Sequence, residues 1–181
     1  SKLLGKRALV TAGAQGIGLA ISSHLLRAGC DVFVHYRSSA DGARNLAAEA
    51  TQLGRRFASA SADLTTSEAS NALVTQAVTF LGGLDVLINN AGSLIGRRTL
   101  LEADARFWSD VISLNVGSVR RVTRAAAPHL IAAAQTGGGA KTRQPQPGCV
   151  FAQASARARA ALSAGEGWPG GGAFAPNNRA S

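Results

Sequence analysis

The 181-residue sequence is poor in aromatic side chains and has no long hydrophobic run. Aromatic residues make up 5% of it, so a folded core has to be built mainly from Val, Leu, Ile and Ala. No stretch reaches the roughly 18 apolar residues that cross a bilayer, and the N-terminal residues lack the pattern of a signal peptide. Cys30 and Cys149 form no CxxC motif or Cys/His cluster. These absences predict a reduced, cytoplasmic setting with no membrane partner.

Acidic residues are also few, and the formal net charge is +9. Such a charge raises the hypothesis of a nucleic-acid partner. Residues 1–135, however, hold 14 Lys and Arg against 9 Asp and Glu, scattered over the presumed helix surfaces. The densest basic cluster is Arg120, Arg121 and Arg124, which falls on a predicted helix and is interpreted as a solvated helix face. The distribution therefore disfavours nucleic acid as the partner.

Up to about residue 135, apolar runs alternate with helical patterns. Strands are predicted at 7–12, 31–36, 56–62 and 84–90. Helices are predicted at 16–28, 40–54, 67–82 and 104–134, the last with Val111, Leu114, Val119 and Val122 on its apolar side. This alternation predicts an α/β fold, a Rossmann-like doubly wound parallel sheet with helices on both faces.

The composition changes after that point. Residues 136–181 hold 9 glycines and 4 of the chain's 5 prolines. One further strand is predicted at 149–155, with little regular packing beyond it, so we expect a sheet truncated after about the fifth strand. The chain is thus divided into a Rossmann-like domain, 1–135, and a poorly ordered tail, 136–181. A shifted reading frame in a GC-rich gene is one hypothesis for the residues from about 140 onward, and sequencing the gene would test it.

The stretch "VTAGAQGIGLAI" joins the first strand to the first helix through a glycine-rich turn. Gly13, Gly16 and Gly18 allow the backbone to approach a pyrophosphate and the helix to pack closely on the strand. The helix N-terminus then offers unpaired N–H groups and the positive end of the helix dipole. Ala12 stands where the commonest form of the pattern has glycine. The position of the turn between strand and helix predicts a dinucleotide site.

Three further motifs follow this turn. "ADL" (62–64) ends the third strand, "NNAG" (89–92) ends the fourth, and "SLNVGSV" (113–119) lies in the long helix. Together with "TAGAQGIG" they closely resemble the short-chain dehydrogenase/reductase family, in its order and at about its spacings, over residues 5–135. "NNAGSLIGR" is similar to bacterial members, including 3-oxoacyl-[acyl-carrier-protein] reductases.

The resemblance implies a nicotinamide dinucleotide site at the carboxyl ends of the strands. Asp63 would meet the adenine, Leu64 would line its pocket, and Ile17 would contact the nicotinamide half. Asn90 is expected to be structural and to tie neighbouring strands together. The expected cofactor-binding residues are Gly13, Gln15, Gly16, Ile17, Gly18, Arg37, Asp63, Leu64, Asn89, Ala91 and Gly92.

The residues "HYRSS" after the second strand bear on the choice of cofactor. An acidic side chain there would bind the ribose 2′-hydroxyl and repel a 2′-phosphate. Tyr36 stands where that acid usually falls, and Arg37 follows it with a planar guanidinium that can pair with a phosphate. We therefore predict NADP(H) in preference to NAD(H). The alternative is a surface arginine that happens to follow a strand.

The resemblance also implies a catalytic tyrosine, a lysine four residues later, a serine that orients the carbonyl, and an asparagine that supports a proton-relay water. Asn115 alone has a clear match. The single tyrosine, Tyr36, belongs to the adenosine end, and the 181 residues contain no Tyr-x-x-x-Lys. With a fifth strand as above, Ser155 would match the serine, which puts Trp168 and Gly172 in place of the tyrosine and lysine. We interpret the Ser155 match as coincidence.

Two functional hypotheses remain open. In the first, the chain is an NADP(H)-dependent oxidoreductase for an unknown carbonyl or alcohol, catalytically impaired. In the alternative, it is a non-catalytic nucleotide-binding or regulatory module that pairs with intact relatives through the long helix, 104–134, a face that would also serve a homo-oligomer. A nucleic-acid binder driven by the tail is a weaker third. His24, His35 and His129 lie far apart, which indicates surface or core roles and no metal site.

Overall fold

The computed structural model describes residues 3–38 and 40–136. Its elements run β1 (Arg7–Val10), α1 (Gly16–Arg27), β2 (Asp31–Tyr36), α2 (Asp41–Gln52), β3 (Phe57–Ser61), α3 (Ser67–Leu81), β4 (Val86–Ile88), α4 (Ala105–Ile112), a π-helical turn (Ser113–Gly117) and α5 (Ser118–Thr136). Every element predicted before residue 135 is present. The predicted fifth strand, Ser155 and nearly all of the predicted tail lie outside the described residues.

The four strands form one parallel sheet in the order β3-β2-β1-β4. Leu9 of β1 is in register with Phe33 of β2 on one side and Leu87 of β4 on the other. The chain moves outward from β1 through β2 to β3 and then returns to the other side of β1 for β4. The predicted Rossmann-like fold is confirmed. In such sheets the crevice at the reversal, outside the carboxyl ends of β1 and β4, is where ligands bind.

Each face of the sheet is covered by its own apolar layer. On one face Leu26 of α1 and Leu46 of α2 pack against the strand residues Val10 and Val34. On the other face α3 and α5 pack against the sheet, with Leu73 and other apolar side chains of those helices in the contact. Among the described residues, Phe33 is the one Phe, Tyr or Trp side chain of the buried core, as the aromatic-poor composition predicts.

The predicted long helix is interrupted. The π-helical turn separates α4, which buries no side chain, from α5, which buries Ser118, Val122, Ala126, Leu130 and Ala133. Of the predicted apolar side, Val122 is buried, whereas Val111, Leu114 and Val119 are only partly buried. The prediction of one continuous helix was wrong, and the extra residue in the turn rotates the face that follows it by about 100°. None of the described helices is long and apolar enough to cross a membrane.

Candidate functional site

The turn after β1 is held in an unusual backbone conformation. Ala12 has φ of +49°, in the left-handed region that favours glycine, and Gly16 has φ of +51°. A Cβ atom on Gly18 would clash with the Ala12 carbonyl and with the side-chain amide of Asn90. Helix α1 therefore begins directly against the turn because Gly18 has no side chain. This is the close approach that a pyrophosphate-binding turn requires.

A hydroxyl at the end of β1 connects this turn to β4. Thr11 Oγ1 accepts hydrogen bonds from the backbone N–H groups of Asn90 and Ala91, both at 2.9 Å. The Asn90 side-chain amide in turn donates to the carbonyl oxygens of Thr11, at 3.1 Å, and Ala12, at 3.0 Å. Asn90 thus ties the ends of neighbouring strands together, as expected. Thr11 was missed by the sequence analysis, although a hydroxyl residue that ends an apolar strand is a recognisable signal.

Two clefts open at the carboxyl edge of the sheet on either side of the glycine turn. The first, of about 200 Å³, is bounded by residues from the ends of all four strands: Ala12, Ala14, Gln15, His35, Tyr36, Arg37, Ser38, Ala62, Asp63, Leu64, Ala91, Gly92, Ser93 and Leu114. The second, of about 1110 Å³ and more apolar, follows α1 and includes Gln15, Gly16, Ile17, Gly18, Asn90 and Gly92. Gln15 and Gly92 line both clefts, so the two form one continuous surface.

Two expected cofactor residues lie behind this surface. A Cβ atom on Gly13 would come within 2.8 Å of Ser22 Oγ, so Gly13 serves the packing of α1 on the turn. Asn89 is 4% exposed, and its side-chain amide donates to Thr123 Oγ1 of α5 at 3.0 Å. The other nine expected residues line one or both of the clefts.

Asp63 supplies a negative charge to the lining of the first cleft. Its carboxylate accepts from the Thr65 N–H at 3.0 Å and from the Thr65 hydroxyl at 2.7 Å. The Thr65 backbone hydrogen bond, then the hydroxyl, and the nearby charges of Arg37 and Arg121 hold the pKa of Asp63 below its usual value. Asp63 is therefore an ionised acceptor at neutral pH.

Arg121 is not part of a solvated helix face, and that interpretation was wrong for this residue. Its Nε donates to the Leu64 carbonyl at 3.0 Å, and its Nη2 donates to the Ser113 carbonyl at 2.8 Å. The guanidinium thereby fastens the loop after β3 to the π-helical turn. Arg120 and Arg124 are exposed, as expected.

Asn115 lies in the π-helical turn beside the loop that leaves β4. Its side-chain amide donates to the carbonyls of Ser93, at 2.9 Å, and Val111, at 3.0 Å, and its oxygen accepts from the Ser93 N–H at 3.1 Å. Ser93 lines the first cleft. A π-helical turn of this kind is frequent at functional sites.

The sequence predicts a surface or core role for His35. His35, near the end of β2, is 3% exposed and lines the first cleft, and burial lowers the pKa of its ring. Within residues 3–38 and 40–136, no group of three or more His, Cys, Asp or Glu side chains could hold a metal ion.

The chain is similar in sequence to known proteins over most of its length. The sequence model of the short chain dehydrogenase family matches residues 6–140. The 2-dehydro-3-deoxy-D-gluconate 5-dehydrogenase of Escherichia coli (strain K12) is 40% identical over 131 residues, 72% of this chain and 50% of the relative. The short-chain dehydrogenase/reductase FrzI of Cladobotryum sp is 34% identical over 128 residues, 71% of this chain and 49% of the relative.

A solved structure shares the fold as well. The crystal structure of NADH-dependent reductase A1-R' complexed with NAD superposes with a TM-score of 0.71 at 37% identity, over 75% of this chain and 56% of that chain. The chain spans about half the length of the curated relatives that it matches.

Proposed function

This chain belongs to the short-chain dehydrogenase family, and we propose that it binds a nicotinamide dinucleotide along the carboxyl edge of its sheet. The observation that carries the proposal is the continuous surface formed by the two clefts around the glycine turn. The residues present fit such a cofactor. Gly18 has no Cβ atom, so the N-terminus of α1 begins against the glycine turn, and its backbone N–H groups are available to a pyrophosphate there. The turn would hold the pyrophosphate, and Asp63 and Leu64 would hold the adenine.

We further propose a preference for NADP(H). Arg37 and Ser38 line the cleft at the end of β2, and no acidic residue follows that strand before Asp41. A guanidinium there would pair with a 2′-phosphate through charge-assisted hydrogen bonds. The solved relative described above is an NADH-dependent reductase in complex with NAD. Family membership alone therefore leaves the phosphate preference open, and the proposal rests on Arg37.

The reaction expected of the site is hydride transfer between a carbonyl or alcohol and the cofactor. The nicotinamide ring supplies the hydride chemistry when it is bound. In this chain Asn115 would stand close to the reacting end, positioned by Ser93. The acid that the resemblance implies is a tyrosine, and the one tyrosine of the 181 residues, Tyr36, ends β2 on the adenosine side. We propose that these 181 residues bind the cofactor without rapid turnover.

The experiment that tests this proposal is a titration of the purified chain with NADPH and with NADH, followed by calorimetry. We expect saturable binding of both dinucleotides, with the tighter dissociation constant for NADPH. Equal or tighter binding of NADH would contradict the proposed pairing of Arg37 with a 2′-phosphate. Failure to bind either dinucleotide would contradict the proposed site itself.

We also propose that the chain pairs with itself through the α4–α5 region. Trp108, Ile112, Val116 and Ile131 expose about half of their surface there, and exposed apolar side chains in this number are typical of interaction surfaces. Sedimentation equilibrium should show a dimer or larger species. Replacing Ile112 with Lys should shift the population toward monomer, and an unchanged distribution would contradict the choice of this face.

A cytoplasmic location remains the proposal for this protein. Its support is Cys30, a free and buried thiol within the described part of the chain. Cell fractionation with an antibody against the chain would test it.

A further inference from the structure

The side chain of His35 lies between two loops of the cleft. Its Nδ1 atom is 3.0 Å from the backbone nitrogen of Ala12, in the glycine turn. Its Nε2 atom is 3.0 Å from the carbonyl oxygen of Ala62, directly before Asp63. The backbone carbonyl of His35 also accepts from the Gly13 N–H at 2.9 Å. One residue therefore contacts both the turn assigned to the pyrophosphate and the loop assigned to the adenine.

These two partners specify a single form of the imidazole ring. The Ala12 N–H can only donate, so Nδ1 has to be an unprotonated acceptor. The Ala62 carbonyl can only accept, so Nε2 has to carry the proton. The neutral ring with its proton on Nε2 satisfies both bonds. A doubly protonated ring would place an N–H group against the Ala12 N–H and break the first of them.

Ala12 needs such a partner because its own backbone conformation is unfavourable. An L-residue in the left-handed region costs about 1–2 kcal/mol relative to the ordinary helical region, and Ala12 has φ of +49°. The hydrogen bond from its N–H to His35 opposes relaxation of the turn. The neighbouring Gln15 lines both clefts, so the conformation of this turn sets the shape of the proposed site.

From this geometry we propose that His35 is a positioning residue for the dinucleotide, which fixes the glycine turn through its neutral, Nε2-protonated ring and makes cofactor affinity fall in acid. The inference rests on the proposed function, since it concerns the same cleft. His35 does not touch the reacting atoms and acts through Ala12.

The charges around the ring agree with a neutral state at neutral pH. The turn between β1 and α1 and the segment 89–92 after β4 carry no titratable side chain. On β2 itself the neighbours are Tyr36 and Arg37, and from the end of β3 comes Asp63. Burial lowers the pKa of His35, while the Ala62 hydrogen bond and the Asp63 charge partly oppose that shift. Because its pKa is lowered, the ring is neutral at neutral pH and takes up a second proton only in more acidic solution. Cofactor affinity is therefore expected to fall as the pH falls.

The test compares two substitutions that separate the two hydrogen bonds. His35→Asn keeps an acceptor close to the Nδ1 position and has no titratable proton. His35→Gln moves its amide toward the Nε2 position and leaves the Ala12 N–H without that acceptor. His129→Asn, in α5, removes a histidine that lines neither cleft and serves as the control. The readout is the NADP⁺ dissociation constant between about pH 5 and 8.

The ratio of the wild-type dissociation constant to that of His35→Asn reports the protonation of the His35 ring alone. The 2′-phosphate titrates near pH 6 in all the proteins alike, so its effect cancels in the ratio. We expect wild type and His129→Asn to lose about tenfold more affinity in acid than His35→Asn, a difference equal to one hydrogen bond of about 1.4 kcal/mol. His35→Gln should bind weakly at every pH. A constant ratio of wild type to His35→Asn across the range would overturn the inference.

Nitrogen NMR of the imidazole ring decides the question without any ligand. We expect the wild-type ring of His35 to show the Nε2–H tautomer, and a ring protonated on Nδ1 alone would overturn the inference. A chain that binds no NADP⁺ at any pH contradicts the proposed function. In that case two measurements without ligand still decide the role of His35. One is the tautomer, and the other is amide exchange at Ala12, which should be slower in His35→Asn than in His35→Gln. Equal exchange in the two variants would count against the role of His35.

Discussion

The side chain of Asn115 and the backbone of Ser93 hold each other through a reciprocal pair of hydrogen bonds. The Asn115 amide donates to the Ser93 carbonyl at 2.9 Å, and its oxygen accepts from the Ser93 N–H at 3.1 Å. The pair joins the π-helical turn to the loop that leaves β4. The position of this loop at the cleft is therefore coupled to the interruption between α4 and α5.

Replacing Asn115 with Ala should release that loop. The expected loss in the free energy of unfolding is about 1–2 kcal/mol, because the two hydrogen bonds with Ser93 and the one to the Val111 carbonyl disappear from a partly exposed site. Asn115→Asp keeps the acceptor for the Ser93 N–H but places a carboxylate oxygen against the Ser93 and Val111 carbonyls, so it should lose at least as much at neutral pH. Urea denaturation of the three proteins measures the difference. Equal stability of Asn115→Ala and wild type would show that the pair contributes nothing to the fold.

Replacing Thr11 with Val should be more damaging although the two side chains have nearly the same shape. The hydroxyl accepts from two N–H groups, of Asn90 and Ala91, and Thr11 is 1% exposed. Leaving buried donors without a partner costs about 1–3 kcal/mol. Thr11→Ser keeps the hydroxyl and should lose only about 1 kcal/mol for the missing methyl group. Thermal or urea unfolding should rank Val below Ser, and the reverse order would contradict the assigned bonds.

Replacing Gly18 with Ala should weaken both stability and dinucleotide binding. The new Cβ atom has to displace α1 from the Ala12 carbonyl, and overpacking of this kind costs about 1–3 kcal/mol. Gly54→Ala, beyond the end of α2, is the control for adding a methyl group where there is room, since a Cβ atom on Gly54 meets open space and its backbone lies at positive φ. We expect the control to lose about 1 kcal/mol of stability and no affinity. Unchanged dinucleotide affinity in Gly18→Ala would show that the glycine turn is not part of the binding site.

Replacing Arg37 with Gln should reduce NADPH affinity about 10- to 100-fold, the value of a charge-assisted hydrogen bond. NADH affinity should stay nearly constant because that cofactor lacks the 2′-phosphate. Arg124→Gln, an exposed arginine on α5, is the control for the loss of one positive charge. Calorimetric titration of each protein with each cofactor gives the comparison. A parallel loss for both cofactors would mean that Arg37 does not read the phosphate.

Most of the fold could be predicted from the sequence because its signals are local. Alternating strand and helix patterns require parallel pairing, and the glycine turn after β1 marks where the sheet begins. The π-helical turn could not be predicted in this way. The periodicity around Val111 and Leu114 reads as continuous helix, and the extra residue becomes visible only when α5 packs on the sheet through Val122.

The site was less predictable, since its support comes from contacts between residues distant in sequence. Asp63 and Arg37 fall at recognisable positions after their strands. His35 and Arg121, in contrast, gain their roles by meeting Ala12 and Leu64 across the sheet edge, at separations of 23 and 57 residues. No local pattern distinguishes such a histidine or arginine from a core or surface residue.

We expect these 181 residues to bind NADP(H) and not to turn it over rapidly. The direct measurement is carbonyl-dependent oxidation of NADPH by the purified chain, at a cofactor concentration that the titration shows to be saturating. We expect bound NADPH and an oxidation rate at background for every carbonyl compound tried, with Tyr36→Phe indistinguishable from wild type. A rate well above background, carried by the chain itself, would contradict this expectation.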